Sequence, residues 1–165
     1  MRTSAGGRRS RGARPSAQRG VVTVEYALLL MLGVIPLLML LFTGVMMFAA
    51  QQSLSLASAE GARASLRYGT TAERRSAACM AAKGSMEWLL TYSGSQANCA
   101  SADGAPVAVS QPFACAGTPD RQCMQVTVSF DYDDHPFVPG TATMMGWFLG
   151  RDMRSTAVAQ LDLGE

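Results

Sequence analysis

The chain has 165 residues, 48% hydrophobic and 16% charged, which is enough for one small folded domain and some additional segments. Its net charge of +2 averages two unlike parts: the first 20 residues carry six arginines and no acid, whereas the remainder has eight basic and 12 acidic residues. Because the arginines lie in a Gly- and Ser-rich tail and not on a folded domain, this distribution argues against nucleic-acid binding.

Within the basic leader, residues 1–19 lack apolar periodicity, and we expect them to be disordered. Beyond it the segment Ala27–Ala50 has 24 residues without a charge. At about 1.5 Å per residue this run is long enough to cross a hydrocarbon layer of ~30 Å. With the arginines on its N-terminal side, the N-terminus is predicted to be cytoplasmic and the C-terminal part to lie across the membrane.

A conventional signal peptide is the alternative interpretation of this N-terminal region. Ala57-Ser58-Ala59 resembles a signal peptidase site. However, the apolar run is longer than the usual ~7–15 residues, and the small-residue site lies well beyond its end. The pattern therefore favours a membrane-spanning helix, with a cleaved export signal as the less favoured possibility.

We predict that one helix runs from Val21 through the membrane to about Tyr68, with a kink at Pro36 because proline removes a backbone hydrogen bond. Gly69 is a plausible helix stop. Thr70 followed by Glu73 is a capping-box signature that predicts a second helix over about 72–92. The sequence Ser93-Gly94-Ser95 is expected to end it.

After residue 93 the pattern becomes typical of β-strands. Pro106–Pro112 and, more clearly, Gln122–Tyr132 alternate apolar and polar residues, and the turn signals at 117–120 between them indicate an antiparallel hairpin. Residues 133–140 are predicted as a loop, and Ser155–Leu163 as a last strand.

Thr141–Gly150 is apolar and ambiguous, either a short helix or a hydrophobic loop that packs in the core or against another subunit. The predicted fold class is α+β, with a long N-terminal transmembrane helix, a second helix and a small antiparallel sheet. Three domains follow from this pattern: a basic cytoplasmic leader over 1–20, a transmembrane and extended helix over 21–68, and a folded α+β domain over 69–165.

All four cysteines lie beyond the predicted membrane span. An even number in a small exported domain indicates two disulfides, although the sequence alone permits three connectivities. We favour Cys115–Cys123, which would close the hairpin, and Cys79–Cys99, which would tie the second helix to the following loop. A metal site is disfavoured because no Cys-x-x-Cys pair is present.

Catalytic motifs are weakly represented. His135 is the only histidine and follows two aspartates in what resembles ordinary turn chemistry before a proline. A nucleophile elbow, a phosphate-binding loop and a dinucleotide-binding loop are all absent from the sequence. We therefore expect neither an enzyme nor a bound cofactor.

Glu25 is the most informative residue of the membrane segment. It is the fifth residue after Gly20, and Tyr26 is the sixth. A carboxylate costs about 2.5–3.5 kcal/mol at the centre of a membrane helix, so its presence near the apolar run calls for a role. If the chain is cut after Gly20, the new Val21 ammonium of one subunit would be neutralised by Glu25 of a neighbour, which would set the axial register of an assembly.

The segment from Arg19 to Leu28, the apolar run with Pro36, and the later Glu60-Gly61-Ala62-Arg63 block resemble the TadE-like family. These proteins are pseudopilins or minor pilins of tight-adherence (Tad/Flp) pilus systems. The resemblance covers about residues 19–68, and the rest of the chain is similar only in its general layout.

The resemblance implies a structural component of an adhesive type IV pilus. A prepilin peptidase would cut between Gly20 and Val21, and Glu25 and Tyr26 would serve assembly. The mature protein would sit in the inner membrane with a periplasmic domain and would meet other Tad pilins, pseudopilins and the pilus assembly platform. Two alternatives stay open: a membrane-anchored periplasmic binding module that does not polymerise, and an exported enzyme released after Ala59.

Overall fold

The computed structural model describes residues 19–101, 103–139 and 152–161, with backbone alone at Arg19, Gly20, Pro119 and Asp152. It contains a long apolar helix, two shorter helices and a four-stranded antiparallel sheet. The predicted α+β class is thus confirmed. The leader up to Gln18 and the ambiguous apolar segment Thr141–Gly150 lie outside the described residues.

The long helix has three parts: α1 (Arg19–Leu29), a π-helical turn (Leu30–Val34) and α2 (Ile35–Ala64). The turn is widened because the Ile35 N–H donates to the Leu30 carbonyl, five residues earlier. Pro36 has no N–H, and its ring crowds the carbonyl four residues before it. The disturbance that the sequence predicted at Pro36 therefore takes the form of a π turn directly before it.

The second helix begins at a capping box, as predicted. In front of α3 (Thr71–Ser85), the Thr70 N–H donates to Glu73 Oε2 at 2.8 Å, and the Glu73 N–H donates to Thr70 Oγ1 at 3.4 Å. The hydrogen bond from the Thr70 backbone, and then that from its hydroxyl, lowers the pKa of Glu73 below its usual 4.5. Gly69 precedes the box at φ +149°, where a side chain would meet the Glu73 carboxylate. The long helix itself ends at Ala64, before the predicted Tyr68.

The prediction of one continuous second helix is wrong. α3 ends at Ser85 and a separate helix, α4 (Glu87–Ser93), follows a break at Met86, whose φ of −115° and ψ of 20° are not helical. Met86 is fully buried, and the Ser85 carbonyl accepts a hydrogen bond from Ser53 of α2 at 3.2 Å. Tertiary contacts therefore break the helix at a position where the local sequence pattern favours a continuous helix. Gly94 ends α4 at φ +66°, as expected.

The sheet is organised around one long central strand. Its four strands are β1 (Val107–Val109), β2 (Phe113–Cys115), β3 (Thr118–Asp131) and β4 (Asp152–Leu161). β3 pairs antiparallel with β1 and β2 on one side and with β4 along the other. The predicted hairpin is confirmed in its pairing, but the turn lies at Ala116–Gly117, since β3 already begins at Thr118. Gly117 adopts φ +83°, which favours glycine at this turn.

One face of the sheet is buried against the helices. The alternating residues that the sequence placed on this face are all buried in β3 and just after it: Met124, Val126, Val128, Phe130 and Tyr132. On the helix side, Arg75 of α3 donates from Nε and Nη2 to the Val109 carbonyl at 3.1 and 2.9 Å. α2 is joined to β4 by a hydrogen bond of 2.9 Å between the Ser58 and Ser155 hydroxyls.

The compact folded unit begins at Leu41, within the long helix, and the preceding residues form a separate unit. Its core includes helix residues Met47, Ala50, Leu54 and Ala57. The helix residues from Leu41 onward are therefore part of the folded unit.

Candidate functional site

The residues predicted to be processed and to set register lie at the start of α1. Gly20 and Val21 are in its first turn, and Glu25 follows Val21 by four residues, which corresponds to about 6 Å along the helix axis. Val21 is 66% exposed and Tyr26 65% exposed. Glu25 is exposed too. The start of the helix thus presents the Gly20–Val21 bond, an acid and an aromatic ring within two turns of one another.

The long helix is the one described element with the length and apolar composition to cross a membrane; it runs over Val21–Ala64. Every residue from Val21 to Phe42 is exposed, including its large apolar side chains. Exposed leucine, valine and phenylalanine over so many turns are stable in lipid or against apolar partners, and unfavourable in water. This exposure agrees with the predicted single-pass anchor.

From Thr43 onward the helix has two different faces. Thr43, Met47, Ala50 and Leu54 are buried, at spacings of four, three and four residues that place them on one face. On the opposite face Val45 and Phe48 remain 66% and 61% exposed. The folded domain therefore covers one side of the apolar run over its last two turns, and leaves the other side open.

Two disulfides fasten the domain. Cys79 of α3 is bonded to Cys99 in the loop after α4, with Cα atoms 5.4 Å apart, and Cys115 at the end of β2 is bonded to Cys123 of β3, with Cα atoms 5.1 Å apart. These are the two pairs that the sequence analysis favoured. Cys79 is fully buried, so the first disulfide also forms part of the core.

An open cleft of about 460 Å³ lies where the end of α4, the start of β1 and the end of β3 meet. Its polar lining includes Gln96, Ser129, Asp131, His135 and Arg154. Asp131 Oδ1 accepts the backbone N–H groups of Asp133 and Asp134 at 3.0 and 3.2 Å, which is the turn chemistry expected around His135. Within the described ranges Arg154 makes no ion pair, and its side chain is exposed at the cleft.

Metal binding finds no support in the described part of the chain, where no group of three or more His, Cys, Asp or Glu side chains could hold an ion. All four cysteines are consumed by disulfides. The described lining residues of the cleft offer hydrogen-bonding groups and charge.

His135 could be singled out in the sequence, but no sequence pattern connected it with Gln96 or Arg154. These residues meet only because β4 pairs with β3 in a register that puts Arg154 opposite Ser129. The single available signal was the alternation along Ser155–Leu163, which identified the strand without its partner or register.

Comparison with known proteins bears on the long helix. The model of a family described as TadE-like protein matches residues 20–63, whose two ends carry the Gly20-to-Tyr26 pattern and the Glu60-Gly61-Ala62-Arg63 block. No curated protein and no solved structure matches the chain. The resemblance inferred from these motifs is thereby confirmed, and the chain carries a TadE-like segment over residues 20–63.

Proposed function

We propose that this protein is a TadE-like pseudopilin or minor pilin, a structural component in the assembly of a Tad/Flp adhesive pilus, and not an enzyme. The observation that carries the proposal is the coincidence of the family match at residues 20–63 with a helix whose apolar side chains are exposed from Val21 to Phe42. An exposed apolar helix of this length is suited first to the membrane and then to packing beside the helices of other subunits.

In this proposal the arginine-rich leader faces the cytoplasm of a bacterium, the helix spans the inner membrane, and the disulfide-fastened domain lies in the periplasm. The cysteine chemistry supports the periplasmic location, because disulfides persist in oxidising compartments. Arginines on the N-terminal side of the span support the same orientation.

A prepilin peptidase would cut between Gly20 and Val21. The described helix begins at Arg19, so this bond lies close to the beginning of the described residues. Cleavage would give Val21 a free ammonium one turn from Glu25, and other Tad pilins with their assembly platform would be the partners.

The direct test is the N-terminal sequence of the membrane-bound protein from cells with and without their prepilin peptidase. We expect Val21 as the first residue in the first strain and an uncut Gly20–Val21 bond in the second. Gly20→Leu should block cutting, whereas Val22→Leu, two residues along the same helix, should not. An uncut chain in both strains would contradict the proposal.

A second candidate is a membrane-anchored periplasmic binding module that does not polymerise. The cleft lined by Arg154, His135 and Gln96 favours it, since convergent polar groups in a concave site are typical of ligand binding. This candidate predicts an uncut leader and no protein in a sheared pilus fraction. It also predicts that Arg154→Ala abolishes ligand binding while leaving the protein folded and in the membrane.

A further inference from the structure

We propose that the folded domain rests on the membrane surface through three aromatic side chains, Trp88, Tyr92 and Phe137, here called the aromatic patch. Its ligand would be the headgroup layer of the lipid leaflet from which the long helix emerges. This inference rests on the proposed membrane anchoring and is independent of leader cleavage and of pilus assembly.

The aromatic patch is built from α4 and the loop after β3. Phe137 contacts both other rings, with its centroid 6.1 Å from that of Trp88 and 5.2 Å from that of Tyr92. Trp88 is 40% exposed and Tyr92 47% exposed, although both belong to a helix whose Leu89 and Leu90 are buried. Two large aromatic rings are therefore held at the surface as one cluster.

The polar atoms of the two outer rings are already occupied. Trp88 Nε1 donates to Ser53 Oγ at 3.0 Å, and the Tyr92 hydroxyl donates to the Pro136 carbonyl at 2.7 Å. What the rings present outward is mainly hydrocarbon, which gains free energy by leaving water. These hydrogen bonds also hold the rings in place, so little side-chain freedom remains to be lost on contact.

The bond between Trp88 and Ser53 fixes the aromatic patch beside the helix. Phe42, Met46 and Ala49 precede Ser53 by 11, seven and four residues and therefore share its side of α2. Phe42 and Ala49 are exposed and Met46 is half-buried. The aromatic patch therefore continues an apolar stripe that ascends the helix from the predicted span.

The height of Trp88 along the helix agrees with the headgroup layer. The apolar run ends at Ala50, before Gln51 and Gln52, and Ser53 follows three residues after Ala50, about 4.5 Å further along the axis. The headgroup region adds roughly 5–7 Å on each side of the hydrocarbon core. Tryptophan and tyrosine are enriched at this depth because a flat apolar ring with a polar edge suits it.

The burial of the helix is consistent with a domain at this depth. Thr43, Met47 and Ala50 belong to the uncharged run and yet are buried within the folded unit. The domain therefore extends down one side of the helix into the part predicted to lie in the membrane. The aromatic patch is joined to the same helix three residues beyond Ala50, through the hydrogen bond from Trp88 to Ser53.

The experiment measures the fluorescence of Trp88 in the full-length chain placed in nanodiscs of phosphatidylethanolamine and phosphatidylglycerol. Trp147→Phe removes the second tryptophan, and circular dichroism checks that the variant is folded. We expect phospholipid brominated near the headgroup end of its acyl chains to quench most of the Trp88 emission, and aqueous iodide to quench little of it.

A matched control uses Tyr68, which is fully exposed beyond the end of α2 and 15 residues after Ser53. In the triple variant Trp88→Phe, Trp147→Phe, Tyr68→Trp, the new indole should be quenched by iodide and not by brominated lipid. Quenching of Trp88 by iodide alone would overturn the proposal, and so would quenching by neither agent, which would show that the indole is shielded by protein and not in contact with lipid. A chain that does not enter nanodiscs would overturn the membrane anchoring as well.

Discussion

Gly61 of α2 lies directly against Val126 of β3. A Cβ built on Gly61 would be 2.9 Å from Val126 Cγ1, 3.1 Å from the Ala78 carbonyl oxygen and 3.2 Å from Ala82 Cβ. The long helix thus approaches both the sheet and α3 at a point where only hydrogen fits. Gly61 belongs to the TadE-like segment, and this contact gives the glycine of its Glu-Gly-Ala-Arg block a physical role in seating the helix on the domain.

Gly61→Ala should therefore destabilise the domain, by about 1–3 kcal/mol, because an extra methyl group in a closed contact forces the helix or the sheet to move. For a domain of this size each kcal/mol lowers the melting temperature by roughly 4 °C. Thermal unfolding in detergent, followed by circular dichroism, measures the effect.

Gly84→Ala is the matched control. Gly84 lies within α3, and a Cβ there would meet nothing within 4 Å. Since alanine is the better helix former, by up to about 1 kcal/mol, this variant should be as stable as the parent or more so. Equal melting temperatures for Gly61→Ala and Gly84→Ala would show that the close approach at Gly61 does not constrain the fold.

The features that could be predicted from the sequence are those determined by residues close together in the chain. The capping box of Thr70 and Glu73 is a local pattern, and the alternation around Val126 identifies a buried strand face without knowledge of its partner. The break at Met86 could not be predicted in this way, because it depends on burial of that side chain and on the hydrogen bond from Ser53 to the Ser85 carbonyl. A local pattern cannot contain a contact between residues 32 positions apart.

The candidate sites also differ in whether their residues are close together in the chain. Gly20, Glu25 and Tyr26 could be identified because their spacing along the chain is the signal. The cleft at Arg154 and the aromatic patch at Trp88 could not, since strand register and helix packing bring their members together from distant positions. The favoured cysteine pairs needed only the predicted hairpin and helix, and both are bonded in the structure.

Removal of the two disulfides should have unequal effects. The Cys79–Cys99 bond spans 20 residues and the Cys115–Cys123 bond spans 8. In the chain-entropy description these loops correspond to about 3.3 and 2.5 kcal/mol, respectively. Cys79 is also fully buried, so its replacement by alanine adds a small packing defect.

We therefore expect Cys79→Ala/Cys99→Ala to melt at a lower temperature than Cys115→Ala/Cys123→Ala, with both below the parent in non-reducing buffer. Addition of dithiothreitol should bring the parent close to a variant that lacks both bonds. A parent whose melting temperature is unaffected by the reductant, once thiol labelling has shown all four cysteines reduced, would contradict a stabilising role for the disulfides.

The capping box should make stability depend on pH. Because hydrogen bonds lower the pKa of Glu73 in the folded state, the unfolded chain takes up the proton first as the pH falls. The stabilisation is present above the ordinary value of 4.5 and is lost as the pH falls through the lower, folded value. Urea unfolding of the parent and of Glu73→Gln should thus differ most near neutral pH and converge in acid.

Thr70→Ser is the control for this experiment, since serine keeps the hydroxyl that accepts from the Glu73 N–H. The stability of Thr70→Ser should vary with pH as that of the parent does. In Thr70→Ala the change in stability between neutral pH and acid should be smaller. A gap between the parent and Glu73→Gln that stays constant from neutral pH into acid would rule out the carboxylate as its source.

The proposed register of the assembly depends on charge at Glu25. An ammonium on Val21 of one subunit and a carboxylate on Glu25 of its neighbour are each unfavourable in an apolar bundle, and they become tolerable as a pair. Glu25→Ala should leave insertion unchanged, because it removes a charge from the edge of the span, yet lower recovery in a sheared pilus fraction severalfold. Glu25→Gln, which keeps the size and loses the charge, should behave in the same way.

Glu60→Ala is the matched control. The Glu60 carboxylate lies beyond the apolar run and accepts a hydrogen bond from Arg63 at 2.8 Å, and its removal should leave recovery in the pilus fraction unchanged. Full recovery of Glu25→Gln would show that the pair does not set the register, even if cleavage at Val21 is established.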